Sequence, residues 1–364
     1  MSRCSECSLL QLRHETDLDS QYRNYLYFTK VTHKLGEFYQ NVALTLGSKL
    51  NISENDLVLD IGSNDGTFLS CFKNMSSRLL GVDPSKPACE EAQKNGMNVL
   101  NDYFDAVLAS RILREHKAPR LITCNYTIAN VPDLDDFFQG ISVLTSKDTQ
   151  VNVITGYHLD QFQIGMFDYI GHDHLTHLTL HDFQNICERH GLKVNYARRH
   201  EHKGGSLEIG FIRSDSTIPV EDSVSQLLQR EMWLGSKGNT SIHMMLNKVE
   251  QNRGIVHAFL SSIKSSGGNI TGIGASISTT SLIFNFQIGN FLTGLYDDDP
   301  RKIGRFSPGF GIQVNALANV KSDLNSVNVI LAWQHTTKIL SRLKEIGYTG
   351  LVLIPMPEVR LFRI

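Results

Sequence analysis

Residues 58–69, VLDIGSNDGTFL, restrict the fold of this 364-residue chain more than any other stretch. The apolar run reads as a buried parallel strand, Gly62 and Gly66 permit a tight backbone turn, and Thr67 onward reads as a helix start. Strand, glycine loop and helix in that order open a parallel α/β unit.

A helix N-terminus with free N–H groups suits polar or anionic ligand atoms, so the loop is compatible with a dinucleotide or with S-adenosylmethionine. A dinucleotide fingerprint asks for a third glycine, and Leu69 stands three residues after Gly66. Residues 79–83, LLGVD, read as a second strand ending in a carboxylate, which nominates Asp83 as the ligand of a ribose diol. Residues 101–104, NDYF, follow a third short strand and offer an acid and an aromatic for adenine. The plainer reading makes Asp83 and Asp102 ordinary residues of strand-end turns.

Apolar residues at helical spacing over 31–50 predict a lead-in helix, after which LVLDI, RLLGVD, NVL, LITC and VNVIT alternate with helical patterns as in a doubly wound sheet. KVNYARR and SLEIGFI read as two more strands, antiparallel at one edge. Residues 220–264 are polar and helical in pattern and form a connector. A second alternation runs through NITGIG, GLYDDD, NVILAW and GLVLIP. The expected organisation is an N-terminal region over 1–45, a Rossmann-like domain over 46–215, and a connector with a smaller Rossmann-like domain over 216–364. The loop holding Gly274 and Ser276 offers another anion-binding helix start, although close helix packing explains its glycines nearly as well.

A net charge of −2 and the absence of a basic block argue against nucleic acid as a substrate. Lacking an apolar run of membrane-spanning length or a signal pattern, the sequence predicts a cytoplasmic protein with no membrane partner. Cys4 and Cys7 form one CxxC pair, half of what a tetrahedral zinc site requires.

Eight of the 14 histidines fall between residues 158 and 202. The densest part is GHDHLTH, residues 171–177. His-x-His spacing suits zinc hydrolysis, but that reading leaves the adenosine-type loop unexplained. Acid–base chemistry fits better, because imidazole titrates near neutrality and can remove a proton beside a carbonyl. His177, His181 and His190 read as decoration of helix surfaces.

Taken in order, CSECSLLQL, YLYFTK, LDIGSNDGTFL, GVDPS, IANVPDLDDFF, FDYIGHDHL, HKGGSLEIGF, GIGAS, DDDPRKIGRFSPG, LAWQH and IPMPEVR resemble the sugar C-methyltransferases that act on nucleotide-activated 4-keto-deoxysugars. The resemblance runs almost end to end. It implies a Rossmann-like class I methyltransferase sheet followed by a second Rossmann-like domain, S-adenosylmethionine as methyl donor, and a nucleotide-sugar substrate methylated on carbon, at C3. The family's Tyr-x-Glu-His motif falls on residues 171–174, with Gly171 for the tyrosine, Asp173 for the glutamate, and His174 as the base. Asn130 replaces a family histidine and Ser278 a family lysine. His202, Gly204, Gly205 and Ser206 match a His-Gly-Gly segment with one extra residue.

Motifs and resemblance together nominate Asp60, Gly62, Ser63, Asn64, Gly66, Asp83, Pro84, Asp102, Tyr103, Phe104 and Asn125 for the cofactor. For catalysis they nominate His174, Asp173, His172 and Tyr27. The substrate set is Tyr25, Asn130, His202, Gly204, Gly205, Ser206, Gly274, Ser276, Lys302 and Arg305. The family usually carries two CxxC pairs around one zinc ion, which makes Cys4 and Cys7 the metal candidates. The rivals are an NAD-dependent nucleotide-sugar dehydrogenase or epimerase, which would want the third glycine, and a non-catalytic nucleotide-sugar binding protein, which would tolerate the departures.

Overall fold

The computed structural model describes residues 1–14, 17, 19, 22–23, 28–31, 35–322 and 325–364. Contacts divide the chain into two compact units, Met1–Leu159 with Gly171–Gly238, and Asp160–Ile170 with Asn239–Ile364.

Seven strands form the main sheet of the first unit: β1 (Leu57–Ile61), β2 (Arg78–Val82), β3 (Val99–Leu100), β4 (Leu121–Asn125), β5 (Gln150–Gly156), β6 (Leu192–His200) and β7 (Ser206–Arg213). Their spatial order is β3-β2-β1-β4-β5-β7-β6. All run parallel except β7, which is antiparallel to both β5 and β6. This is the expected class I methyltransferase sheet with an antiparallel edge.

The helices of this unit are α1 (Leu35–Leu50), α2 (Lys86–Lys94), α3 (Ala106–His116), α4 (Leu134–Leu144), α6 (Leu180–Arg189) and α7 (Asp222–Trp233), and α5 (His158–Gln163) spans the point where the chain passes into the second unit. Their starts follow from local chemistry. Ser85, Asp105 and Asp133 each accept a backbone N–H at the N-terminus of α2, α3 and α4, and Thr179 with Asp182 makes a capping box on α6. β1 is buried throughout because the period of two sends Leu57, Leu59 and Ile61 to one face and Val58 to the other, and helices cover both. The first set packs with Phe137, Phe138 and Ile141 of α4, while Val58 packs with Phe38, Val42 and Leu46 of α1.

The helix expected from Thr67 is instead a single 3-10 turn, Leu69–Phe72. Phe68, Leu69 and Phe72 are all buried, and the Ser76 and Ser77 hydroxyls donate to the carbonyls of Asp56 and Glu54, so the chain turns back to β2 after one tight turn. A further correction concerns His177. It lies in a short strand, Thr176–His177, and is 3% exposed, rather than on a helix surface. That strand pairs with Leu10–Gln11, which pairs with Ser2–Arg3, in a small antiparallel sheet. The hairpin bearing Cys4 and Cys7 is thereby stitched to the chain just after His174, where the Leu12 N–H also donates to the Leu175 carbonyl.

The second unit holds α8 (Thr240–Ser265), α9 (Ile277–Asn285) and α10 (Thr336–Glu345) with strands β8 (Ile270–Ile273), β9 (Leu295–Asp297), β10 (Val314–Ala316), β11 (Val327–Ile330), β12 (Leu351–Ile354) and β13 (Arg360–Arg363). The order is β10-β9-β8-β11-β12-β13, parallel up to the antiparallel β13. Sequence reading missed β10, which is three residues long, and β13, whose side chains are all exposed and leave no buried apolar pattern. Among the described residues no helix is long and apolar enough to cross a membrane.

Candidate active site

The order of the first sheet reverses between β1 and β4, and ligands of open α/β sheets bind outside the carboxyl ends of the strands at such a point. Two loops meet there, residues 62–66 after β1 and residues 126–131 after β4.

The first loop is held open by glycine. Gly62 has φ 73°, and a Cβ there would overlap the Thr127 side chain, so the two loops approach as closely as the missing side chain allows. Gly66, with φ 74°, faces Met97. Asn64 also lies at positive φ, its side-chain carbonyl accepting the Thr29 N–H at 2.9 Å, while Asp65 accepts the Lys30 N–H at 3.0 Å. Ser63 is buried over Gly81, where a Cβ would strike its hydroxyl.

Asp83, at the end of β2, accepts the Asn64 N–H and the Ser85 N–H, both at 2.8 Å. Burial pushes its carboxyl up to about 6, against the pull of those two donors. A carboxylate has about four acceptor positions, so roughly two remain. Pro84 follows, its carbonyl accepting the Asn101 amide. Asp60 is buried in β1, where the Thr123 hydroxyl donates to it at 2.6 Å, and desolvation raises it to about 7. Asp102 accepts the Tyr103 N–H at 3.0 Å, the Arg23 guanidinium lies 5.0 Å from the Tyr103 ring centre, and Phe104 meets Phe137 edge-on. At the end of β4, the Asn125 Oδ1 is buried with no hydrogen-bond partner among the described residues. The same is true of the Asn130 Oδ1 in the turn Ile128–Asn130.

The histidine-rich segment comes to this same edge. Strand Thr176–His177, which begins two residues after His174, packs on the turn Ile128–Asn130. His172 is exposed, and His174 and Asp173 are half-buried. Behind them the His177 and His158 rings stand 6.1 Å apart, edge to face. Burial pushes His177 down to about 3 and His158 well below its ordinary value, so both are neutral at physiological pH.

Residues 202–206 close the other side. His202 stacks on Phe38 at 4.0 Å, Gly204 and Gly205 take φ 75° and 132°, and the Ser206 hydroxyl meets the Tyr126 hydroxyl at 2.8 Å. Between them lies Lys203, which sequence reasoning passed over because a single lysine in a polar turn carries no periodic signal. Its Nζ sits 3.7 Å from the Tyr126 ring centre, and desolvation lowers the ammonium to about 8 while Asp173 opposes that shift.

In the second unit Gly274 packs against Ala332, and Ser276 caps α9. The Asp297 carboxylate already accepts the Ala275 N–H at 2.8 Å and pairs with Lys302 at 3.2 Å. Arg305 is exposed. Tyr25 and Tyr27 lie outside the described residues.

Solved structures similar to about half of the chain include a SAM-dependent methyltransferase from Anabaena variabilis, at 15% identity, 54% of this chain, 89% of that one and TM-score 0.40. Another is magnesium protoporphyrin IX methyltransferase from Synechocystis PCC 6803 with bound SAM, at 14% identity, 49% and 79% coverage, and TM-score 0.38. A family model described as a methyltransferase domain matches residues 28–197, and one described as a C-methyltransferase C-terminal domain matches residues 201–357. C-methyltransferase NovU of Streptomyces niveus is 23% identical over 359 residues, 98% of this chain and 86% of NovU. The two methyltransferase models match successive parts of the sequence, and the chain is an S-adenosylmethionine-dependent C-methyltransferase.

The residues at the switch point fit the donor of such a C-methyltransferase. Asp83 keeps free acceptor positions for hydroxyl groups, Asp102 has a second carboxylate oxygen, and the orphaned Asn125 Oδ1 lacks a donor that a ligand can supply. Zinc fits less well. Cys4 and Cys7 give two of the four donors a tetrahedral site needs, and among the described residues no three His, Cys, Asp or Glu side chains cluster around a metal position.

Proposed function

We propose that this C-methyltransferase methylates the carbon next to the ketone, at C3, of a nucleotide-activated 4-keto-deoxysugar, in the making of a branched-chain sugar. Bound S-adenosylmethionine supplies an electrophilic methyl group. The protein's task is to make the sugar carbon nucleophilic and to hold it in line. The observation that supports the reading is the packing of strand Thr176–His177, which begins two residues after His174, on the turn after β4, whose Thr127 also meets the loop of residues 62–66 at Gly62.

His174 takes the proton alpha to the ketone. Asp173 balances the charge that the imidazole gains. A positioned base is worth roughly 10²–10⁴ in rate, about 3–5 kcal/mol, and alignment of the two carbons contributes several kcal/mol more. Asp83 is assigned to the donor's ribose, Asp102 with Tyr103 and Phe104 to its adenine, and Asn130 with residues 202–206 to the sugar. The loop of Gly274 and Ser276, with Lys302 and Arg305, is assigned to the nucleotide. The nearly end-to-end order of motifs supports the sugar substrate.

The test is exchange of the alpha proton in deuterated water with no methyl donor present. His174→Gln is expected to slow exchange by roughly 10²–10⁴ while leaving S-adenosylhomocysteine binding intact. Unchanged exchange removes His174 from the role of base.

A further inference from the structure

The second unit repeats, at its own switch point, the loop arrangement seen around residues 62–66. Its strand order reverses between β8 and β11, and a Cβ at Gly274, which lies at φ 107°, would overlap Ala332, so the loops after those two strands touch. Asp297, at the end of β9, accepts the Ala275 N–H at 2.8 Å, just as Asp83 at the end of β2 accepts the Asn64 N–H. The loop after β8 leads into α9, whose first backbone N–H groups suit an anion.

On the β11 side stands a second acid. Asp168 belongs to the turn Phe167–Tyr169, which packs on α9 with Phe167 stacked on Phe286 at 6.0 Å. Its Oδ2 accepts the Trp333 Nε1–H at 3.0 Å and the Gln334 amide at 3.1 Å, both from the chain that follows β11. Its Oδ1 is buried and has no hydrogen-bond partner among the described residues. The residue is 9% exposed, and desolvation raises its carboxyl to about 6 against the pull of the indole and the amide. An ionised oxygen buried without a donor is costly, so this one calls for a donor from a ligand. A carboxylate repels a diphosphate, which restricts that donor to an O–H or N–H group. A nucleotide sugar with its ribose at Asp297 and its diphosphate at the start of α9 extends the group beyond the diphosphate toward β11. That group is the hexose.

Resting on the function proposed above, we propose that the Asp168 Oδ1 accepts a hydroxyl of the hexose in the nucleotide-sugar substrate. Trp333 and Gln334 then act through the acid, because two donors on Oδ2 fix the direction in which Oδ1 points. Hydrogen bonds to a charged acceptor are roughly twice as strong as neutral ones, so this position separates a nucleotide sugar from the bare nucleotide. In the sequence Asp168 stands six positions before His174.

Calorimetry with thymidine diphosphate, uridine diphosphate and the 4-keto-deoxyhexose conjugate of each tests the assignment, with S-adenosylhomocysteine as the control ligand. Asp168→Asn keeps one oxygen for Trp333 and Gln334 and replaces the other with an amide group that cannot accept. With whichever nucleotide the wild type binds, this variant is expected to hold the conjugate roughly 10–100-fold more weakly, while the bare diphosphate and S-adenosylhomocysteine stay within about twofold. Trp333→Phe, which keeps the acid and removes one donor that aims it, is expected to lose about threefold to tenfold on the conjugate alone. Wild-type affinity for the conjugate in either variant overturns the assignment. Equal losses on conjugate and diphosphate also overturn it, in favour of a structural acid. If the wild type binds neither conjugate, the nucleotide-sugar reading itself fails and takes this inference with it.

Discussion

At the scale of single residues, the first loop owes its shape to the overlap that a side chain at Gly62 would suffer with Thr127, and its charge to Asp83. The Asp83 carboxyl is raised to about 6, while hydroxyl donors of a bound ribose need it ionised. Affinity for S-adenosylmethionine is therefore expected to be full above that value and to weaken as pH falls through it. Asp83→Asn should bind about 10–100-fold more weakly, the cost of roughly one or two charge-assisted hydrogen bonds, and should lose the pH dependence. Calorimetry between pH 5 and 8 checks both, and an unchanged slope in the variant would move the ribose elsewhere. These glycines and the strand-end acid were legible because each has a local backbone reason. His177 and Lys203 were not. One is buried by pairing with a distant hairpin, and the other meets the ring of Tyr126 in a loop some 77 positions earlier.

At the scale of elements, α6 begins on a buried acid that belongs to α7. Glu231 accepts the Leu180 N–H at 2.7 Å, the His181 N–H at 3.1 Å and the Tyr157 hydroxyl at 2.9 Å. It thus satisfies donors that the start of α6 leaves open. Burial still raises it from 4.5 to about 7. A carboxyl raised in the folded state contributes stability that is present below its unfolded value and lost as pH rises through the folded one. Wild-type stability relative to Glu231→Gln should accordingly fall between about pH 4.5 and 7, and Glu231→Ala should cost about 2–4 kcal/mol by leaving those donors unpaired. Chemical denaturation at several pH values reads both effects, and a pH-independent difference between wild type and the glutamine variant would contradict them. The strands around this helix were plain in the sequence from their apolar runs. The 3-10 turn at Leu69–Phe72 was not, because its tightness comes from serine contacts to a preceding loop.

At the scale of the whole molecule, the sequence foretold two parallel sheets in succession, and both are present with a strand-order reversal in each. Residues 160–170 were harder to place. They interrupt the first unit yet cluster with the second, where Asp168 accepts the Trp333 Nε1–H at 3.0 Å and the Gln334 amide at 3.1 Å. Partners some 165 positions away leave no trace in local pattern. The chemistry assigned to the molecule is methylation of carbon, and the direct measurement is the position of the new group. Nucleotide-linked 4-ketosugars incubated with S-adenosylmethionine carrying a labelled methyl carbon are analysed by mass spectrometry and carbon NMR. The account predicts a product heavier by one methylene with the label bonded to the carbon beside the ketone. A label on oxygen or nitrogen, or no transfer to any such sugar, contradicts it.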